Sequence, residues 1–163
     1  MRNLMVAALC ILVAGCDYEV ALVEEPKEAI DRGAVGLWKE ETADGPDRKL
    51  LVLPMSENEY LISYPAETRN SMYGRGAHLE VAGIELVQLR WFGTGEGKDA
   101  DTERIYQYGS YSVNGDTLEF RLVNRDTVDK DAATPEELAE SIAAQADNPD
   151  LFRKAIVFHR VEE

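Results

Sequence analysis

Short runs in which apolar and polar residues alternate most constrain the fold of this chain. In one of them, Val87, Leu89 and Trp91 alternate with the polar Gln88 and Arg90. A period of two is typical of a strand that is buried on one side and wet on the other. Eight short β-like runs, separated by turn residues, follow one another at 34–41, 49–55, 59–64, 72–81, 84–92, 104–113, 117–123 and 154–161, and the alternation is clean in some of them. Closely spaced short strands predict a mainly β, antiparallel barrel or sandwich.

Residue pairs that favour tight turns occur in two of the connections between these runs. Asn114-Gly115 separates the sixth run from the seventh, and Ala82-Gly83 separates the fourth from the fifth. Because Asn and Gly readily adopt positive φ angles, such pairs favour hairpins between neighbouring antiparallel strands. A longer, glycine-rich polar loop is expected at 93–101. The strands should therefore follow each other as a meander.

One helix is predicted between the seventh and eighth strands. Thr134 precedes Pro135, and Glu137 follows at the third helical position, which is the pattern of a capping box. One apolar stripe follows at helical spacing, formed by Leu138, Ala139, Ile142, Ala143 and Ala146. The run ends at Asn148-Pro149. We expect the stripe to pack on the sheet or across an open end of a barrel.

The start of the chain forms a continuous apolar run instead of an alternating pattern. Arg2 is followed by an apolar run at 4–14, which is shorter than the about 20 residues that a membrane span requires. Its length fits the apolar part of a signal peptide. The segment 12–16, LVAGC, resembles the lipobox of bacterial lipoproteins, where the cysteine thiol receives a diacylglycerol and the preceding peptide bond is cut. The alternative is an ordinary signal peptide or buried apolar segment with a cysteine there by chance.

This resemblance implies a signal peptide at 1–15 and a lipid-anchored tether at 16–33, with lipid on Cys16. Two or three acyl chains, such as palmitate, suffice for stable membrane anchoring. Asp17 is similar to the residue that retains some lipoproteins in the inner membrane. The resemblance therefore implies a protein of the bacterial cell envelope that faces the periplasm or the exterior.

Composition limits the possible partners of the remaining chain. Residues 34–163 suffice for one β-rich globular domain. Since the two cysteines are Cys10 and Cys16, that domain has no disulfide. The net charge of −14 leaves no basic footprint for nucleic acid, and anionic headgroups would repel the acidic body.

The order of predicted elements resembles the lipocalin-like (calycin) architecture, an eight-stranded meander barrel. Gly36-Leu37-Trp38 in the first run matches the G-x-W motif of that family, and Arg160 lies near the end of the last run. In the family, an arginine of the last strand packs over this tryptophan and closes the base of the barrel. The resemblance implies that Trp38 and Arg160 form such a pair. A half-open barrel or flattened sandwich is the alternative.

Residues that could carry catalysis are not grouped in the sequence. Ser110 and Ser112 do not form a G-x-S-x-G turn, and His78 and His159 are each alone in a strand-like run. No motif with metal-ligand spacing occurs, and the acidic stretch 99–103 lacks the glycine position of a calcium-binding EF-hand loop. We therefore expect no enzyme, no metal site and no cofactor.

Aromatic residues are the remaining candidates for a site. The set that could line a barrel interior and bind a small apolar ligand is Tyr60, Tyr64, Tyr106, Tyr108 and Trp91. The same rings could instead fill the core. Two functions follow: a non-enzymatic module that binds an envelope protein, or, as the alternative, a lipocalin-like carrier of a small apolar ligand or lipid.

Overall fold

The computed structural model describes residues 17–42, 45–98 and 104–162, so the predicted signal peptide at 1–15 and the predicted lipid site Cys16 lie outside the described residues. Its strands are β1 (Gly36–Glu40), β2 (Lys49–Pro54), β3 (Tyr60–Tyr64), β4 (Met72–Val81), β5 (Ile84–Thr94), β6 (Tyr106–Asn114), β7 (Thr117–Leu122) and β8 (Ile156–Arg160). Each strand pairs antiparallel with the next, and β8 pairs with β1 to close a barrel. The predicted barrel is confirmed, and it is closed rather than half-open.

The two ends of the barrel differ in their connections. The upper end carries the connections β1–β2, β3–β4 and β5–β6, and also the segment between β7 and β8. The lower end carries the hairpins β2–β3, β4–β5 and β6–β7. A short 3₁₀ helix (Arg32–Ala34) precedes β1 at this lower end, and the Asp31 side chain caps it by accepting a hydrogen bond from the Gly33 amide.

Alternation along the strands creates two separate apolar cores. The interior of the barrel holds the first, which includes Trp38, Tyr60 and Phe158. The second core lies on the outer side of β4 to β6, where Leu79 and Leu86 pack with Leu138 and Ile142. The last two belong to the helix α1 (Pro135–Ala144), so the predicted helix before the last strand is confirmed and its stripe packs on the outer wall. No helix among the described residues is long and apolar enough to cross a bilayer.

The segment before β1 lies along the outside of the barrel. We call residues 17–30 the strap, because the backbone of Tyr18 pairs with Tyr106 at the upper end and the Ile30 amide donates to the Glu57 carbonyl at the lower end. Residues 17–33 were expected to form a tether, and the described chain differs from that expectation. Tyr18 and Ile30 are buried, and this apolar contact holds the segment to the wall.

Gly109 marks a point where the wall leaves no space for a side chain. A Cβ atom there would lie 2.6 Å from the Phe120 ring and 2.8 Å from the Arg121 carbonyl oxygen. We expect Gly109→Ala to lower the free energy of unfolding by about 1–3 kcal/mol, as overpacking does. The matched control is Gly93→Ala in β5, where the nearest atom is 3.6 Å away. Urea denaturation of both variants measures the difference, and equal stabilities would contradict this packing.

Candidate functional site

The interior of the barrel is almost filled by its own side chains. It retains an apolar cavity of about 60 Å³. Sites for drug-sized ligands are typically about 300–1,000 Å³, and an engineered cavity that binds benzene has about 150 Å³. The cavity is therefore far too small for a lipid in this conformation. Aromatic and aliphatic residues line it, among them Tyr60, Tyr64, Trp91, Tyr111, Val87 and Leu118.

The aromatic residues proposed from the sequence are divided between the two faces of the wall. Tyr60, Tyr64 and Trp91 line the interior cavity, as a ligand site would require. Tyr106 and Tyr108 instead belong to the outer core beneath the strap. The prediction that they share one site with the other three is wrong, because their strand presents alternate residues to the interior and these two fall on the opposite phase.

Gln107 and Tyr111 are among the interior residues of β6, and neither was selected as a site residue from the sequence. The Gln107 side-chain oxygen accepts a hydrogen bond of 2.9 Å from the Trp91 indole nitrogen inside the barrel. Tyr111 borders the cavity near the lower end. The signal that could have indicated Gln107 is the Trp91 indole N–H, because a buried indole N–H usually needs a hydrogen-bond acceptor nearby.

A buried carboxylate occupies the interior at the upper end. Glu40 accepts a hydrogen bond from the Tyr64 hydroxyl, and its other oxygen lies 2.5 Å from the Arg48 guanidinium. Burial raises the pKa of Tyr64, and the neighbouring Glu40 carboxylate adds to this effect. The phenol therefore stays protonated and serves as a donor. The group links β1, the β1–β2 connection and β3 across this end of the cavity.

Two phenols and an imidazole meet at the lower end. The His78 Nε2 atom is 2.8 Å from the Tyr111 hydroxyl and 3.1 Å from that of Tyr60, and the two hydroxyls are 2.8 Å apart. The Asp31 amide donates a 2.6 Å hydrogen bond to Tyr60. Burial raises the pKa of both tyrosines. The cluster consequently joins Asp31, directly after the strap, to β3, β4 and β6.

The pair implied by the lipocalin-like resemblance lies beside this cluster. The guanidinium carbon of Arg160 is 4.1 Å from the centroid of the Trp38 ring. The Trp38 indole donates to the Ala34 carbonyl at 2.9 Å. Arg160 donates to the carbonyls of Val35 and Gly33 at 2.9 and 2.8 Å. These four contacts fasten the 3₁₀ helix across the lower end.

The other residues considered for catalysis are not assembled into a site. His159 is 2.7 Å from a Glu41 oxygen, but both side chains are more than half exposed on the outer wall. Ser110 and Ser112 border a cleft with His78 without a hydrogen bond to it among the described residues. In the same part of the chain, no three His, Cys, Asp or Glu side chains are grouped to hold a metal ion. The acidic stretch 99–103 falls outside the described residues.

An apolar face lies on the outside of β2 and β3 and extends to the upper parts of β4 and β5, whereas the strap and α1 cover other parts of β4 and β5. Leu53, Met55 and Phe92 are 39%, 45% and 45% exposed. Leu53 pairs with Leu61 on the neighbouring strand β3, so Leu61 is a fourth apolar side chain on this face. The outer apolar face is defined by Leu51, Leu53, Met55, Leu61, Tyr73 and Phe92. Since exposed apolar patches mark interaction sites in soluble domains, this face is a candidate interaction surface.

Comparison of the chain with protein-family models, with curated proteins and with solved structures finds no match.

Proposed function

We propose that this protein is a lipid-anchored lipoprotein of the bacterial cell envelope and that it binds another envelope protein through the outer apolar face. The observation that carries the proposal is the combination of a nearly filled interior with exposed Leu53, Met55 and Phe92. An interior with so little room favours a function at the outer surface, where these apolar side chains are exposed.

The anchor is supported by the order of residues at the chain start. A charge, an apolar run, small residues and Cys16 follow one another as they do in a lipobox. Inner-membrane retention through Asp17 belongs to the same proposal. Mass spectrometry of the native protein tests it: a mature chain beginning at acylated Cys16 is expected, and an intact Met1 with an unmodified Cys16 thiol would refute it.

The alternative function is a lipocalin-like carrier of a small apolar ligand. It is favoured by the wholly apolar lining of the cavity and by the contact between Trp38 and Arg160. It requires the interior to expand severalfold, because about 60 Å³ lies well below the typical size of a ligand pocket. A lipid that co-purifies with the barrel in native mass spectrometry would favour this function over the first.

Site-specific photo-cross-linking in intact cells tests binding through the outer apolar face. A photoreactive residue at Leu53 or Phe92 should yield one discrete cross-linked product. The matched controls are Glu119 and Arg121, which are also exposed on the outer wall but lie on β7. Equal product from all four positions, or none from any of them, would contradict the proposal.

A double substitution then measures how much these residues contribute. We expect Leu53→Ser with Phe92→Ser to weaken recovery of the cross-linked partner at least about tenfold, since central apolar residues of interfaces are each worth about 1–2 kcal/mol or more. The two side chains are exposed, so the free energy of unfolding should change by less than about 1 kcal/mol. Loss of partner together with loss of folding would not support the interface, and unchanged recovery in a folded variant would refute it.

A further inference from the structure

The first described residue of the strap is already fixed to the barrel. The amides of Asp17 and Tyr18 both donate to the Tyr106 carbonyl at 3.1 Å, and the Tyr106 amide donates back to Tyr18 at 3.1 Å. Arg104 donates to the Asp17 carbonyl at 3.0 Å, and Arg125 lies 3.3 Å from the Asp17 carboxylate. The Asp17 side chain is 3% exposed. These bonds hold the backbone of Asp17 directly against the start of β6.

A second attachment holds the strap farther along its length. The Gln88 side-chain oxygen accepts from the amides of Leu22 and Val23 at 2.8 and 3.1 Å, and its nitrogen donates to the Val23 carbonyl at 2.8 Å. The Tyr108 hydroxyl donates to the Val20 carbonyl at 2.6 Å. Gln88 and Tyr108 are buried, so releasing the strap would leave polar groups of the wall without these partners.

We infer that the lipid on Cys16 holds the upper end of the barrel against the phospholipid headgroups in one fixed orientation, because no flexible linker separates the anchor from the folded domain. The inference rests on the proposed lipidation. Consecutive Cα atoms are about 3.8 Å apart, so the acyl chains leave the protein within one residue of Asp17. Asp17 contacts the first residue of β6, which begins at the upper end.

Two arginines at this end offset part of the repulsion that anionic headgroups exert on the acidic chain. Arg104 pairs with Asp131 at 2.6 Å, and Arg125 pairs with Asp17, so part of the acidic charge of the chain is neutralised here. The lower end, with Trp38 and Arg160, then points away from the bilayer. The outer apolar face stands along the side of the barrel, where a partner anchored in the same membrane can reach it.

Two labelled positions at opposite ends test the orientation in lipid vesicles. Asn70→Cys lies in the exposed β3–β4 connection at the upper end, and Glu57→Cys lies in the exposed β2–β3 hairpin at the lower end. Each would be the single free thiol of the mature lipoprotein, because Cys10 is removed and Cys16 is acylated. Quenching of an attached dye by quenchers on the lipid headgroups reports its distance from the bilayer.

We expect strong quenching at position 70 and weak quenching at position 57. The longer strands β4 to β6, of 9 to 11 residues, give a separation of roughly 25 Å between the two ends at a tilt of about 40°. The matched control inserts about 12 Gly and Ser residues between Cys16 and Asp17, a flexible chain that spans roughly 20 Å on average. It leaves the barrel unchanged, and it should remove most of the difference between the two positions.

The outcomes separate this inference from the lipidation on which it rests. A large difference between the two labels that collapses in the linker variant supports the fixed orientation. Equal quenching at both positions in the unmodified lipoprotein, with vesicles still bound, refutes the orientation while the anchor stands. A protein that does not float with the vesicles refutes the anchor and the orientation together.

Discussion

Above about pH 10, the barrel should lose stability steeply and unfold in a single cooperative step. Five of the seven tyrosines have a raised pKa, and burial is the largest cause in each case. They are Tyr18, Tyr60, Tyr64, Tyr108 and Tyr111. They occupy both cores and the cluster at the lower end, so their ionisation affects the whole molecule.

The direction of the effect follows from proton binding. Between the unfolded phenol pKa of about 10 and the higher folded pKa, the unfolded chain has lost a proton that the folded chain keeps. The unfolded state therefore binds fewer protons, and the free energy of unfolding falls as the pH rises. Each such tyrosine contributes up to about 1.4 kcal/mol per pH unit, hence about 7 kcal/mol per unit for five. Domain stabilities of about 5–15 kcal/mol would be exhausted within two or three units.

Phenolate absorbance and circular dichroism, recorded together through the alkaline range, check this expectation. The two signals should change at the same pH, because the buried phenols ionise on unfolding. Tyr111→Phe should reduce the slope by about one fifth if the five groups contribute alike. Full ionisation of all tyrosines at about pH 10, with the native circular dichroism intact, would contradict the buried network.

The strands could be predicted closely because most of them separate a buried face from a wet one. The fourth run, 72–81, coincides with β4, and the fifth misses only the last two residues of β5. The first run was placed too early, at 34–41. Residue 34 ends the 3₁₀ helix, whose single turn leaves no periodic pattern in the sequence.

The sixth strand shows where a pattern of period two stops being informative. Its sequence YQYGSYSVN has aromatic residues on both phases, because the strap buries the outer side as well. Tyr108 and Tyr111 therefore look equivalent from the sequence. Only the contact of Tyr108 with Val20, 88 positions away, reveals which one faces outward.

The strap could not be recognised from local sequence for the same reason. Its acidic residues resemble a solvated tether, while the groups that bind it, Gln88 and Tyr108, lie more than 60 positions farther along the chain. The barrel-closing residues were accessible only because a family motif pointed to them. Trp38 and Arg160 lie in strands at opposite ends of the domain sequence, and they become neighbours when β8 closes onto β1.

Replacement of Trp38 should be among the most destabilising single changes in the interior. The side chain is fully buried, and Trp38→Ala creates a cavity at the cost of about 3–5 kcal/mol. It also leaves the Ala34 carbonyl without its indole donor and Arg160 without the ring beneath it. Urea denaturation measures the change, and we expect the midpoint to fall strongly with little change in slope.

One control variant and one double-mutant cycle separate the burial of Trp38 from its contact with Arg160. Phe92→Ala removes an exposed ring and should cost less than about 1 kcal/mol. A cycle of Trp38→Phe and Arg160→Met isolates the contact between cation and ring, for which about 0.5–2 kcal/mol is expected. A loss as small for Trp38→Ala as for Phe92→Ala would mean that the lower end is not closed through this ring. A coupling of zero would assign Arg160 only to the carbonyls of the 3₁₀ helix.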